Sequence, residues 1–166
     1  MPEAATLKRA RRDKAAGKSP TTQAGEFVRE EIHHVREGKH GARSAKQAIA
    51  IGLSKARRAG VKLPPPPPGS SKRTQQSAKS ATRAAKRRRA PSARRSRAGT
   101  AALKHEGRAA ASHTALAREA RAAAKRRGRT ARKAAARKAV RTKGSRELRA
   151  AARKAAKTRK RRHAAT

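Results

Sequence analysis

SPTTQAGEFVREEIHHVREGKHGARSAKQAIAIGLSKARRAGVKL, Ser19–Leu63, is the stretch on which the fold turns. It holds two helix signatures back to back. Ser19 is a natural N-cap, and Pro20 follows at the first helical position, where its missing N–H costs nothing. Ala24, Phe27, Val28, Ile32 and Val35 then recur at spacings of 3, 1, 4 and 3, the period of one helical face. Gly38 is a natural stop, and the turn runs from Gly38 to Arg43. Ser44 with Gln47 three residues on forms a capping box that opens the second helix. Ile49, Leu53 and Ala56 make one stripe, and Ala48, Gly52 and Ala59 a neighbouring stripe of small residues, which lets another backbone come close. Gly60 ends the helix, with Val61 and Leu63 placed to fold back as a latch. A segment around Glu3–Ala16 adds a third, frayed helix at most.

Outward from this hairpin the composition changes. The chain has 166 residues, 49 Lys+Arg against 9 Asp+Glu, a formal charge of +40, no Cys and one Phe. Forty-two residues are Ala, and only 14 are Leu, Ile, Val or Phe. That is far below the roughly 20% under which a highly charged chain stays disordered. Ten of the 14 precede the five prolines Pro64–Pro68, whereas residues 69–166 carry a net +31. The expected architecture is therefore all-α: a short N-terminal helical hairpin within 1–63, with helices near 20–37 and 45–59, a stiff polyproline linker at 64–68, and a Lys/Arg/Ala-rich, low-complexity tail at 69–166. The tail is expected to be largely disordered though helix-prone. Ala, Arg and Lys favour helix, but like charges at i, i+4, as in Arg137/Arg141 and Arg149/Arg153, repel. Transient helix is expected over 100–128, 130–140 and 145–160, folding when a polyanion removes the repulsion.

The stretch Gln23–Leu63, and within it KQAIAI-x-LS-x-AR followed by glycine at Lys46–Gly60, resembles the core of an uncharacterised family of small, very basic bacterial proteins. That resemblance implies a bacterial source and a helical module, with no activity and no functional residues to carry over. The tail resembles, in composition, the Lys/Ala-rich arms of bacterial histone H1-like proteins, although its 23 Arg outnumber its 11 Lys.

A tail of this charge points to polyanions. Each phosphate neutralised releases condensed counterions, so affinity falls steeply with salt. Arg grips phosphate with a bidentate fork and Lys with a point charge. The expected contacts are Lys86, Arg87, Arg88, Arg89, Arg94, Arg95, Arg97, Lys125, Arg126, Arg127, Arg129, Arg132, Lys133, Arg137, Lys138, Arg153, Lys154, Arg159, Lys160, Arg161 and Arg162. Lys46, Lys55, Arg57, Arg58 and Lys62 on the second hairpin helix are expected to add phosphate contacts. Duplex DNA is favoured over RNA, because the tail lacks the aromatic platforms of single-strand and RNA readers. Anionic membrane is disfavoured for want of an apolar face. The expected function is sequence-nonspecific, histone H1-like DNA compaction in a cytoplasmic, nucleoid-associated protein. The alternatives are an RNA- or ribosome-associated basic protein, or a protein-binding hairpin tethered by its tail. Self-association of the hairpin fits its small size.

Chemistry finds little foothold. No catalytic residue, metal ligand or cofactor is expected. Glu30-x-x-His33 and Glu31-x-x-His34 match the E-x-x-H element of di-iron bundles, but a bundle core to enclose a metal is lacking, and these side chains are expected on a polar outer face. Glu26, Glu30, Glu31 and Glu37 are expected to pair locally with Arg29, Lys39 or Arg43. Gly17-Lys18-Ser19 resembles the end of a phosphate-binding loop, but Arg12 stands where the upstream glycine belongs.

Overall fold

The structure, a computed structural model, describes residues 2–87 and 92–164. Its elements are α1 (Ala4–Ala15), α2 (Pro20–Arg36), α3 (Ala45–Arg58), α4 (Lys72–Lys86), α5 (Ala93–Lys104), a 3-10 turn (Ala109–Ala111), α6 (His113–Arg126) and α7 (Gly128–His163), with no strand among the described residues. The chain divides into two compact units, 1–119 and 120–166.

In the first unit, α2 and α3 form the hairpin and α1 packs on α2. The Ser19 hydroxyl accepts from the Thr22 N–H at 3.4 Å, and the Ser44 hydroxyl from the Gln47 N–H at 3.2 Å. The Gln47 side chain reaches back past the N-cap and accepts from the Arg43 N–H at 2.7 Å. At the far end of α3 the Gly60 N–H bonds the Arg57 carbonyl and the Val61 N–H the Ala56 carbonyl, a Schellman stop. It turns Val61 and Leu63 back onto a cluster of Leu7, Ala10, Ala24, Phe27, Leu53 and Ala56.

The face that α3 buries is its small one: Ala45, Ala48, Gly52 and Ala56. A methyl built on Gly52 would lie 2.6 Å from the Val28 Cα, so the two helix backbones meet there. The module also has a third helix. α1 buries Thr6, Ala10 and Asp13, on one face at i, i+4 and i+7. Arg9 pairs with Glu26, and Lys18 with Asp13 at 2.7 Å.

The largely disordered tail expected from composition is overturned: the described residues beyond the prolines are mostly helical. Two physical reasons stand out. First, alanine itself serves as core. Ala81 of α4 is buried, and α4 packs on α3. Ala110 and Ala111 enter a second cluster with Val35, Ala42 and Ala48. Here the chain is stitched by backbone bonds, Gly41 N–H to the Leu103 carbonyl at 2.8 Å and Ala42 N–H to the Gly107 carbonyl at 3.0 Å. Arg36 donates to the Ala111 carbonyl at 2.9 Å. Residues to about 119 thus belong to the compact N-terminal unit. Second, in residues 120–166 propensity prevails over repulsion: a run of Ala, Arg and Lys, the best helix formers, forms α7 without burying a core. The helix breaks once, at Gly144, whose backbone is left-handed (φ 74°) and non-helical. The next residue, Ser145, opens its second segment.

No helix among the described residues is long and apolar enough to cross a membrane.

Candidate nucleic-acid interface

The basic side chains fall into phased rows once helices are drawn through them. In the second segment of α7, Arg146, Arg149, Arg153, Lys157 and Lys160 recur at spacings of 3, 4, 4 and 3. At 100° per residue they share one face, with Leu148, Ala151, Ala152 and Ala155 on the other. All five are exposed, and none has an ion-pair partner among the described residues. The row is about 21 Å long at 1.5 Å per residue. In the first segment Lys133, Arg137 and Arg141 stand one turn apart and line a shallow recess with Thr130, Ala134 and Lys138. On α4, Lys72, Lys79, Arg83 and Lys86 form a row on the side opposite buried Ala81.

Of the expected contacts, Lys86, Arg87, Arg94, Arg97, Lys125, Arg126, Arg127, Arg129, Arg132, Lys133, Arg137, Lys138, Arg153, Lys154, Arg159, Lys160 and Arg161 are exposed. Arg88 and Arg89 lie outside the described residues, as do the side chains of Arg95 and Arg162. Only Arg153 and Lys160 of these fall in the α7 row. Arg159 lies off it and turns back along the helix, donating to the Ala155 carbonyl at 3.5 Å. Arg146, Arg149 and Lys157 were not among the expected contacts. Cluster density picks runs such as Arg159–Arg162, whereas a helical surface is read by spacing.

The hairpin contributes less than its charge suggests. Lys46, Arg58 and Lys62 are exposed. Arg57 is half-buried, which pushes its pKa down, and it donates to the Pro64 carbonyl at 2.9 Å. Lys55 is no phosphate contact: its ammonium turns inward, 2.6 Å from Glu31 Oε2 and 3.2 Å from Glu30 Oε1.

That pairing corrects the expected outer face as well. Glu30 and Glu31 are buried, each with its side chain 1% exposed. Burial pushes the Glu30 carboxyl up, but the Glu3 N–H, the Thr6 hydroxyl and Lys55 outweigh it and hold its pKa below the ordinary value. The local pairing expected for the acids holds only at Glu37, which meets Lys39 at 3.1 Å. Glu26 pairs across helices, with Arg9.

The segment from α1 to the prolines also matches a family model. Residues 11–66 match the model of a family of unknown function, DUF6496. The match covers the last five residues of α1, α2, α3 and the first three prolines, and stops short of the α4 and α7 rows. No curated protein and no solved structure matches the chain.

Proposed function

We propose that this is a non-enzymatic protein that binds nucleic acid without sequence preference, with duplex DNA as the favoured partner, and that it acts in compaction at the nucleoid. The observation that carries the reading is the exposed row Arg146, Arg149, Arg153, Lys157 and Lys160, which pairs with no acid among the described residues. Residues 120–166 hold 20 Lys+Arg and a single acid, Glu147. A duplex offers one negative charge per roughly 1.7 Å of axis. A helix laid along a groove brings a cation near the backbone at each turn, and every contact releases counterions.

Base readout has little support. The α7 row offers Arg and Lys but no Asn or Gln to read adenine, and the helix face behind it is mostly Leu and Ala. A helix already formed loses less conformational freedom on binding than a coil does, so compaction needs only neutralisation and bridging between duplexes. The hairpin module, on which α4 packs, would set the geometry of the α4 row. Exposed Lys46, Arg58 and Lys62 would supply weak auxiliary contacts.

The test is fluorescence anisotropy of the full chain on several unrelated duplexes and on a structured RNA hairpin, at several salt concentrations. The reading expects duplex affinities within a few-fold of one another and a steep fall with salt. A tenfold preference for one duplex sequence would overturn the nonspecific reading. Tighter binding to the RNA across all salts would transfer the function to RNA.

A further inference from the structure

We infer that Glu31, His34 and His40 form a site for a divalent transition metal of the zinc class, which pins the α2–α3 turn. Glu31 and His34 stand one turn apart on α2, and His40 comes from the loop that follows. One ligating atom from each lies within 4.8 Å of the others. The three side chains are all largely withdrawn from solvent, 1%, 13% and 12% exposed.

The Glu31 carboxylate is the telling group. Both of its oxygens are sealed from water, and neither accepts a hydrogen bond of regular geometry among the described residues. It has charge contacts only: Lys55 Nζ 2.6 Å from Oε2, and His40 Nε2 3.1 Å from Oε1. A buried carboxylate without proper acceptor geometry is costly. At formal charges, Glu30 and Glu31 against Lys55 leave a net negative centre under α2. A divalent cation on Oε1, with Lys55 left on Oε2, would satisfy both deficits.

The histidines are set up as ligands are. Metal-bound histidines usually donate their second ring N–H to a carboxylate or backbone carbonyl, which fixes the tautomer. His40 Nδ1 sits 3.0 Å from the Gly41 carbonyl, which makes Nδ1 the donor and, once a metal displaces the Nε2 proton, leaves Nε2, beside Glu31, to ligate. His34 Nε2 sits 2.8 Å from the Glu3 carboxylate, which leaves its lone pair on Nδ1. Two imidazoles and one carboxylate suit zinc, with a fourth position for water. The placement also has a structural sense. A module whose buried apolar side chains are mainly Ala gains from a staple across its turn.

The experiment is zinc titration of the full chain by calorimetry, with Co²⁺ as a spectroscopic probe. We expect saturable one-to-one binding, visible Co²⁺ bands of a low-coordinate N/O site, and a zinc-dependent rise in melting temperature. His40→Asn should weaken zinc binding by at least tenfold, and Glu3→Gln by tenfold or more through the loss of His34 orientation. Exposed His33→Asn should leave it unchanged. Far-UV circular dichroism confirms that each variant is folded. No saturable binding by the parent chain would overturn the site. So would equal losses in His33→Asn and His40→Asn, which would mean scattered surface histidines.

Discussion

Replacing Gly52 by alanine tests the close approach of α2 and α3. In an open helix this change is favourable by about 1 kcal/mol, because alanine loses less backbone entropy. At Gly52 the new methyl would stand 2.6 Å from Val28 Cα and 2.9 Å from Val28 N. These are backbone atoms of α2 and cannot swing aside. Ordinary carbon–carbon contact is about 3.5–4.0 Å, so the helices must part by about 1 Å and loosen the contacts of Ala48 and Ala56. Overpacking of this kind costs about 1–3 kcal/mol. Because the clash is with backbone, the cost takes the upper part of that range, about 2–3 kcal/mol. Net of propensity, Gly52→Ala should therefore destabilise by about 1–2 kcal/mol, or roughly 3–12 °C in Tm for a unit of this size. Gly25→Ala supplies the opposite sign. Gly25 is an exposed α2 position where a methyl would meet nothing within 4 Å, so it should stabilise by about 0.5–1 kcal/mol. Scanning calorimetry of both full-length variants gives the two signs directly. If Gly52→Ala stabilises as Gly25→Ala does, α2 and α3 do not meet as described.

Three further outcomes follow. A methyl at Gly41 would fall 1.7 Å from the Glu106 carbonyl oxygen, so Gly41→Ala should release the stitching of 103–111. The Gly41 and Ala42 amides, bonded to Leu103 and Gly107, should then lose hydrogen-exchange protection; unchanged protection would refute that packing. Lys55→Ala strands two buried carboxylates, and with Lys55 21% exposed the cost should be about 2–4 kcal/mol by denaturant titration; a loss under 0.5 kcal/mol would mean the charges are solvated. The full chain should show helical far-UV circular dichroism at low salt without any polyanion, with little gain on adding DNA; a large gain would return residues 120–166 to coil.

How much of this could be read from sequence varies by element. The caps at Ser19 and Ser44 and the Schellman stop at Gly60 were legible, because capping is local chemistry. The core was not, because it is built from alanine. Weighing only Leu, Ile, Val and Phe discounts Ala81, Ala110 and Ala111, which are buried because helix backbones come close enough for a methyl to fill the gap. The burial of Glu30 and Glu31 was hidden for another reason. Two adjacent glutamates read as surface, and the lysine that meets them lies 24 and 25 residues away on α3. His40 likewise sits in a turn whose sequence gives no hint that it folds over α2. In the basic tail the residue types suggested phosphate contact and a helix over 145–160 was expected, but contacts chosen by cluster density passed over the helical phasing that sorts Arg146, Arg149 and Lys157 from Arg159.

The central claim is that a preformed cationic row on α7 grips the duplex backbone, and its salt dependence is the most direct measurement. Parent chain and a variant with Arg146, Arg149, Arg153, Lys157 and Lys160 all replaced by Gln are titrated on one duplex between low and moderate salt. If each of the five neutralises a phosphate, the slope of log K against log salt should be shallower in the variant by about 4.5. Affinity at low salt should fall with it. An unchanged slope and affinity, with helicity intact, would contradict the account.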